Sequence, residues 1–321
     1  MKTIAENLIQ KGSFWLPRPA TQIAHDVDTL FYTILWFSVA IFLAMFIIGL
    51  VFVVKYKRTS TNTKAEKHVT HNNVAEILWT VIPLILLMIV FWWGYQDYLK
   101  LSVAPPNTMD IKVTGKKWFW SFNYPKEGIN TLNEFVVPVN TPVRLIMASE
   151  DVIHSMFIPN FRVKKDVIPN RYTTVWFEAS DIGIYQVFCT EYCGDGHSSM
   201  SAILKVMSQA DYDRWLQSNG EDTDTPLPEL GKKLYTAKAC NTCHSIDGSV
   251  KVGPSWKAIY NSDRQMADGS SVKADDNYIR ESVVNPQAKV VKGFAPVMPA
   301  YAGLLSDREI DAIIEYIKSL K

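Results

Sequence analysis

Cysteine is scarce in this sequence. Only four of its 321 residues are Cys, at positions 189, 193, 240 and 243. All four fall inside two short motifs, so no further pair remains to build a disulfide framework. Surplus charge is missing as well. The formal net charge is +1, which argues against a nucleic-acid partner. The first 20 residues contain neither an apolar core nor a Cys, so no cleaved signal and no lipid-anchored Cys are expected. Charge is absent altogether from two long stretches, Leu30 to Val54 and Ile77 to Tyr95.

Those two stretches predict a helical hairpin in a membrane. As a helix the first is roughly 37 Å long, enough to cross a hydrocarbon core of about 30 Å with some tilt. The second carries Pro83 near its start, which membrane helices tolerate. Trp92, Trp93 and Tyr95 at its far end resemble an interfacial aromatic belt. The loop from Lys55 to Lys67 carries Lys55, Lys57, Arg58, Lys64 and Lys67, with Glu66 as its only acid. The positive-inside rule places that loop in the cytoplasm, and hence residues 1–29 and everything past about residue 96 on the periplasmic or external side. A buried soluble hairpin is the competing reading, and two charge-free runs of this length disfavour it.

The remainder is mixed in polarity. Ile111–Val113, Val143–Met147, Thr173–Phe177, Tyr185–Phe188 and Ala202–Val206 are short β-like runs separated by turn residues, which predicts a β-sandwich. A short helix is expected over Gln209–Gln217, followed by an acidic, Pro-containing linker. The last part reads as helical. It closes on Ser306-Asp-Arg-Glu309, a capping-box pattern, and a stripe of Ile310, Ile313, Ile314, Ile317 and Leu320. The expected division is an external arm (1–29), a transmembrane hairpin (30–96), a β domain (97–207), a linker (208–229) and an all-α domain (230–321).

The loop from Cys189 to Met200, Cys-Thr-Glu-Tyr-Cys-Gly-Asp-Gly-His-Ser-Ser-Met, is dense in soft ligands. Thiolate and thioether sulfur favour copper or iron over magnesium or calcium, and imidazole suits copper and zinc. Two thiols on one turn can bridge two metal ions, each ion then needing a terminal His; His197 and the upstream His154 are the candidates. A Cys2His2 zinc site and a local disulfide are the competing readings. The pattern C-x-E-x-C-x3-H-x2-M, with Asp151-Val-Ile-His154-Ser upstream, resembles subunit II of the haem-copper cytochrome c oxidases. The resemblance implies a cupredoxin fold for the β domain and a dinuclear copper (CuA) centre. In it Cys189 and Cys193 bridge, and His154 and His197 are terminal ligands. Met200 and the Glu191 backbone carbonyl are weak ligands. It further implies that the Glu191 side chain helps bind Mg²⁺ shared with the large subunit.

Cys240-Asn-Thr-Cys243-His244 is a C-x-x-C-H haem-attachment sequence. Its two thiols can each bond a haem vinyl group while His244 offers its imidazole to the iron; a fragment of a zinc site is the alternative. A helical run from Pro228, Gly253-Pro254, and Met298-Pro299 before the closing helix make this part resemble the class I cytochromes c. That resemblance implies a covalent haem c with Met298 as sixth ligand, Met266 being its rival. Met/His ligation raises the haem potential, as suits a one-electron carrier. Covalent haem is attached outside the bacterial cytoplasm in this family, which agrees with the topology read from Lys and Arg and implies the bacterial cell (inner) membrane.

Two more residues gain a role from the resemblance. Trp118, in Trp118-Phe-Trp120, is the expected point of electron input to copper, while Phe119 and Trp120 read as core. Glu76, in the first turn of the second span, is favoured there by the helix dipole alone; the resemblance implies the entrance of a proton path in the large subunit. His25, His68 and His71 read as surface or interfacial residues with no metal role. The expected function is a membrane-tethered electron relay. An external donor, a cytochrome c or a quinol-oxidising complex in a supercomplex, feeds the haem. The dinuclear copper then feeds subunit I, where O2 is reduced to water with proton pumping. The alternatives are the electron-input subunit of a copper-containing nitric oxide reductase, separable by the gas consumed, and a membrane-anchored copper carrier, separable by exchangeable, mononuclear copper.

Overall fold

The structure is a computed structural model, and it describes residues 12–58, 70–218 and 225–321. The start of the arm, the loop residues Lys64, Lys67 and His68, and part of the expected linker lie outside the described residues. The chain divides into two units, Gln22–Val103 and the remainder.

The first unit is a pair of helices, α1 (Gln22–Lys55) and α2 (Asn73–Ser102). Both are long and apolar enough to cross a membrane. Helix α1 starts well ahead of the charge-free run because its polar first turns satisfy themselves along the helix. Gln22 Nε2 donates to Asp26 Oδ1 at 3.1 Å, and the Thr29 and Thr33 hydroxyls donate to the carbonyls of His25 and Thr29 at 2.8 and 2.7 Å. Asn72 caps α2, its side chain accepting the Ala75 N–H. Lys100 near the far end of α2 pairs with Asp26 of α1 at 2.7 Å and with Asp97 at 3.1 Å. From Ile34 to Val54 and from Val74 to Phe91 most of the large apolar side chains stand exposed on this chain. Apolar patches of that extent mark contact with lipid or partner protein.

The second unit begins with two five-stranded sheets. Its strands are β1 (Met109–Lys116), β2 (Phe119–Tyr124), β3 (Ile129–Leu132), β4 (Glu134–Pro138), β5 (Pro142–Ser149), β6 (His154–Ile158), β7 (Val163–Val167), β8 (Thr173–Glu178), β9 (Gly183–Cys189) and β10 (Ser201–Met207). One sheet runs β3-β2-β1-β5-β8 and the other β4-β10-β9-β6-β7. The pairs β1/β5 and β4/β10 are parallel, the rest antiparallel. Burial alternates along β5, β9 and β10, the mark of strands with one face inside. Phe122 stacks on Phe135 at 4.3 Å between the sheets. The Tyr124 hydroxyl accepts the Val136 N–H and donates to the Val136 carbonyl, so a buried phenol keeps its partners. These are the layers of the expected β-sandwich.

The short helix α3 (Gln209–Gln217) follows, then α4 (Leu227–Ala237), the single turn α5 (Cys240–Cys243), a hairpin of β11 (Asp263–Gln265) and β12 (Ser271–Lys273), α6 (Asp276–Val284) and α7 (Asp307–Ser319). The hairpin is an addition to the otherwise helical C-terminal part. Both halves of the Ser306/Glu309 capping box form, and Ile310, Ile313, Ile314 and Ile317 are buried. Helices α4 and α7 cross tightly at Gly231, where a Cβ would lie 2.0 Å from the Ala312 carbonyl oxygen. The sandwich and the helical part share a core. Phe119 and Leu132 cluster with Leu230, Tyr301, Leu305 and the α7 isoleucines, and Phe119 stacks on Tyr301 at 6.0 Å.

Candidate copper and haem sites

Strand order brings the first group of ligands together. His154 opens β6 and Cys189 closes β9, and the two strands pair. The loop returns to its start because the Cys189 N–H donates to the Met200 carbonyl at 3.1 Å. Inside it, Cys189 Sγ and Cys193 Sγ stand 3.8 Å apart. His154 Nδ1 lies 3.9 Å from Cys189 Sγ, and His197 Nδ1 lies 3.4 Å from Cys193 Sγ. Met200 Sδ is 3.7 Å from Cys193 Sγ, and the Glu191 carbonyl oxygen is 3.4 Å from Cys189 Sγ. The six predicted donors thus converge, whereas the Glu191 side chain is exposed. Both thiols, His154 and Met200 are buried.

The chemistry of this donor set fits copper. Burial opposes ionisation at Cys189, but bonds from His154 and the surrounding backbone outweigh it and hold that thiol below its ordinary range. Burial and the neighbouring Cys189 charge push Cys193 up. A second thiolate 3.8 Å from the first therefore calls for a cation between them. A disulfide would need the sulfurs at about 2.05 Å. Thiolate, thioether and imidazole on one cavity match a soft ion, and Met200 has no place in a structural zinc site.

Residues outside the ligand set shape it. The His154 Nε2–H donates to Asp151 Oδ1 at 2.8 Å, so Nδ1 is the ring nitrogen that faces the sulfurs. Gly115 makes room for this ring, since a Cβ there would lie 3.0 Å from His154 Cδ2. Trp118 Nε1 donates to the Cys193 carbonyl at 3.2 Å, and its indole lies against Gly194 and Gly196. Asp151 stood in the quoted motif without a role, and nothing in the spacing singled out Gly115, Gly194 or Gly196.

The second group surrounds a cavity of about 620 Å³. Cys240, Cys243, His244 and Met298 line it with Tyr278, Phe294 and other largely apolar side chains. Met266 is buried in the core and is not among the lining residues. The His244 Nδ1–H donates to the Pro254 carbonyl at 2.7 Å, leaving Nε2 as the free nitrogen. Burial lowers the His244 pKa, keeping the ring neutral. Gly253 is needed here because a Cβ would come within 2.6 Å of His244 Cε1. Burial pushes the Cys240 thiol up to about 12 and raises that of Cys243 as well. Among the described residues no carboxylate or further imidazole joins Cys240, Cys243 and His244 in a metal cluster, which disfavours zinc. A large apolar cavity with two neutral thiols and one free imidazole nitrogen at its wall fits a haem. Trp118 and Phe119 line the same cavity, so Trp118 touches both sites. Glu76 is exposed on α2, its Oε1 accepting the Asn72 N–H at 3.3 Å.

Residues 10–96 match the family model of the cytochrome c oxidase subunit II transmembrane domain, residues 127–207 that of its periplasmic domain, and residues 228–321 that of cytochrome c. The chain is 30% identical over 294 residues to a cytochrome c oxidase subunit 2 of Alkalihalophilus pseudofirmus, covering 88% of this chain and 83% of that one. The chain belongs to the cytochrome c oxidase subunit II family. A second relative in that family, a probable cytochrome c oxidase subunit 2 of Rickettsia bellii, is 30% identical over 232 residues, 64% of this chain and 86% of that one. Among solved structures, the periplasmic domain of cytochrome oxidase subunit II of Bradyrhizobium japonicum is 32% identical, covering 36% of this chain and 96% of that one with a TM-score of 0.36. This subunit II is therefore a membrane-anchored component of an oxidoreductase complex, with a soluble copper-domain sandwich and a fused cytochrome c domain.

Proposed function

We propose that this subunit II is the electron relay of a haem-copper oxidase: electrons from an external donor enter at a covalent haem c and leave through a dinuclear copper centre to the large subunit, which reduces O2 and pumps protons. When bound, the haem iron and the copper pair each accept and release one electron at a time. The observation that carries this reading is the position of Trp118, whose indole lines the haem cavity and hydrogen-bonds the backbone of copper-ligand candidate Cys193.

The roles of the chain's own residues follow from the geometry. Cys240 and Cys243 would tether the macrocycle, with His244 Nε2 and Met298 Sδ reaching its iron. Pro254 orients His244. Cys189 and Cys193 would bridge the copper ions, with His154, His197, Met200 and the Glu191 carbonyl completing the two sites. The apolar cavity wall would keep water from a bound haem. The exposed Glu191 side chain is free to share Mg²⁺ with the large subunit, and Glu76 is offered as the mouth of that subunit's proton path. Lys55, Lys57 and Arg58 argue for a cytoplasmic loop, and hence for both soluble domains on the periplasmic or external side of a bacterial cell membrane.

The test is purification with the native partner subunits, a count of copper and haem, and a comparison of wild type with Met298→Ala. The relay requires two coppers per covalent haem, oxygen uptake, and slowed delivery of electrons to copper in the variant. Unchanged delivery in Met298→Ala would remove the haem from the path. Consumption of nitric oxide in place of oxygen would move the subunit to a reductase, and a single exchangeable copper would make it a carrier.

A further inference from the structure

Asp151 is no metal ligand, yet both of its carboxylate oxygens are used in separate tasks. It lies just past the end of β5, where Oδ1 accepts the His154 Nε2–H at 2.8 Å and the Val152 N–H at 2.6 Å, with the Ser149 hydroxyl at 3.3 Å. Its Oδ2 accepts the N–H of Lys117 at 2.8 Å. Lys117 directly precedes Trp118 in the turn between β1 and β2, and Trp118 in turn donates to the Cys193 carbonyl. The contacts close a ring: Asp151 to His154, His154 to Cys189 Sγ, Cys189 Sγ to Cys193 Sγ, Cys193 to Trp118, and Lys117 back to Asp151.

A ring of this kind makes two positions depend on one group. The carboxylate decides which His154 nitrogen faces the sulfurs, because Nε2 is spent as a donor. Such partners of metal-binding imidazoles fix tautomer and orientation. The same carboxylate holds the backbone that seats Trp118. His154 is fully buried, and Asp151 is the acceptor its Nε2–H meets.

We propose that Asp151 is a positioning residue for electron input, locking the His154 imidazole and the Trp118 turn to each other so that donor side and acceptor side keep one geometry. The proposal rests on the relay reading for its Trp118 half; its His154 half stands without it. An amide at this position offers one acceptor oxygen where two separate N–H donors need one each. Asp151→Asn therefore satisfies His154 or Lys117, not both.

The experiment uses the full complex with its native partners and compares wild type, Asp151→Asn and Asp166→Asn. Asp166 is the control, since it accepts the Ser155 hydroxyl at 2.7 Å beside His154 but touches neither the ligands nor the Trp118 turn. Copper retention against a chelator, the copper electron-paramagnetic spectrum and the haem-to-copper transfer rate after flash reduction are read together. Asp151→Asn is expected to lose about 10–100-fold in copper retention or in transfer rate, with an altered copper spectrum and an unchanged haem spectrum, while Asp166→Asn matches wild type. A wild-type copper spectrum, retention and rate in a folded Asp151→Asn complex overturns the proposal. A changed copper spectrum with an unchanged rate overturns its Trp118 half. If wild type itself transfers nothing from haem to copper, the relay reading fails instead, and the retention and spectral readings still decide the link to His154.

Discussion

Replacing Gly196 with Ala tests the place of Trp118 without touching a ligand. A Cβ built at Gly196 lies 2.3 Å from Trp118 Cδ2, 2.6 Å from Cε3 and 2.7 Å from Cγ. Carbon atoms rest about 3.5–4.0 Å apart, so either the indole or the loop must give way by about 1.2 Å. The backbone at Gly196 has φ −85°, which alanine adopts freely, so the whole effect is steric. Forcing the loop costs on the order of 1–3 kcal/mol as overpacking, whereas the single Trp118 Nε1 bond to Cys193 is worth about 0.5–1.5 kcal/mol net. Trp118 is also only partly buried, while the loop is tied at Cys189 and Met200. The indole is therefore what moves. Because the indole lines the haem cavity and bonds the Cys193 carbonyl, its displacement should slow haem-to-copper transfer severalfold while copper content and its spectrum stay as in wild type. Flash reduction of the haem, followed at the haem and copper absorption bands, measures this directly. A wild-type rate in a variant whose indole is shown crystallographically to have shifted refutes the assignment of Trp118.

Gly253→Ala places a Cβ 2.6 Å from His244 Cε1 and 2.9 Å from Nδ1; the haem should remain attached through both Cys residues but lose its native axial ligation, visible as a shifted absorption band and new carbon monoxide binding. Asp110 is held below the usual carboxylate range by its paired hydrogen bonds to Arg144, at 2.9 and 2.7 Å across β1 and β5. A depressed folded-state pKa stabilises above the unfolded value, about 3.9, and the gain is lost as pH falls through the folded one. Arg144→Met should accordingly melt below wild type at pH 7, and the two melting temperatures should converge in acid; a gap that is constant with pH contradicts this. Glu76→Gln should slow turnover and proton uptake while leaving haem-to-copper transfer unchanged, and unaltered turnover removes Glu76 from any proton path.

Ligand chemistry was the most legible part of the sequence, because it depends on residue type at short spacing. The Cys189 to Met200 loop and the C-x-x-C-H run each carry their candidate donors on a few consecutive turns, and folding had only to bring His154 to the first and Met298 to the cavity wall of the second. Element boundaries were less legible. The charge-free run begins at Leu30, but α1 begins at Gln22, since hydrogen bonds along a helix can satisfy polar turns that hydropathy alone assigns to an arm. Strand β7, Val-Lys-Lys-Asp-Val, exposes three consecutive charged residues, and β4 buries four residues in a row, so neither shows the alternation that marks a half-buried strand. The roles of Asp151, Gly115 and Gly196 were hidden for another reason. Each depends on a neighbour brought from a distant strand, as Asp151 meets Lys117 only because β5 pairs with β1.

The shared core changes how the fusion works. A tether alone raises the effective concentration of one domain around another, to an extent set by its length. Here the cytochrome c domain also lies against the sandwich through Phe119 and Leu132, both nearly inaccessible to solvent, and Phe119 stacks on Tyr301. Phe119 is next to Trp118, so a residue that joins the two domains and the residue that touches both sites are adjacent: one supplies apolar area, the other a hydrogen bond to the Cys193 carbonyl. Burying an aromatic side chain of this size contributes on the order of 1.5–3 kcal/mol, which favours the docked arrangement. Packing at this turn therefore adds to the tether in holding the cytochrome c domain against the sandwich.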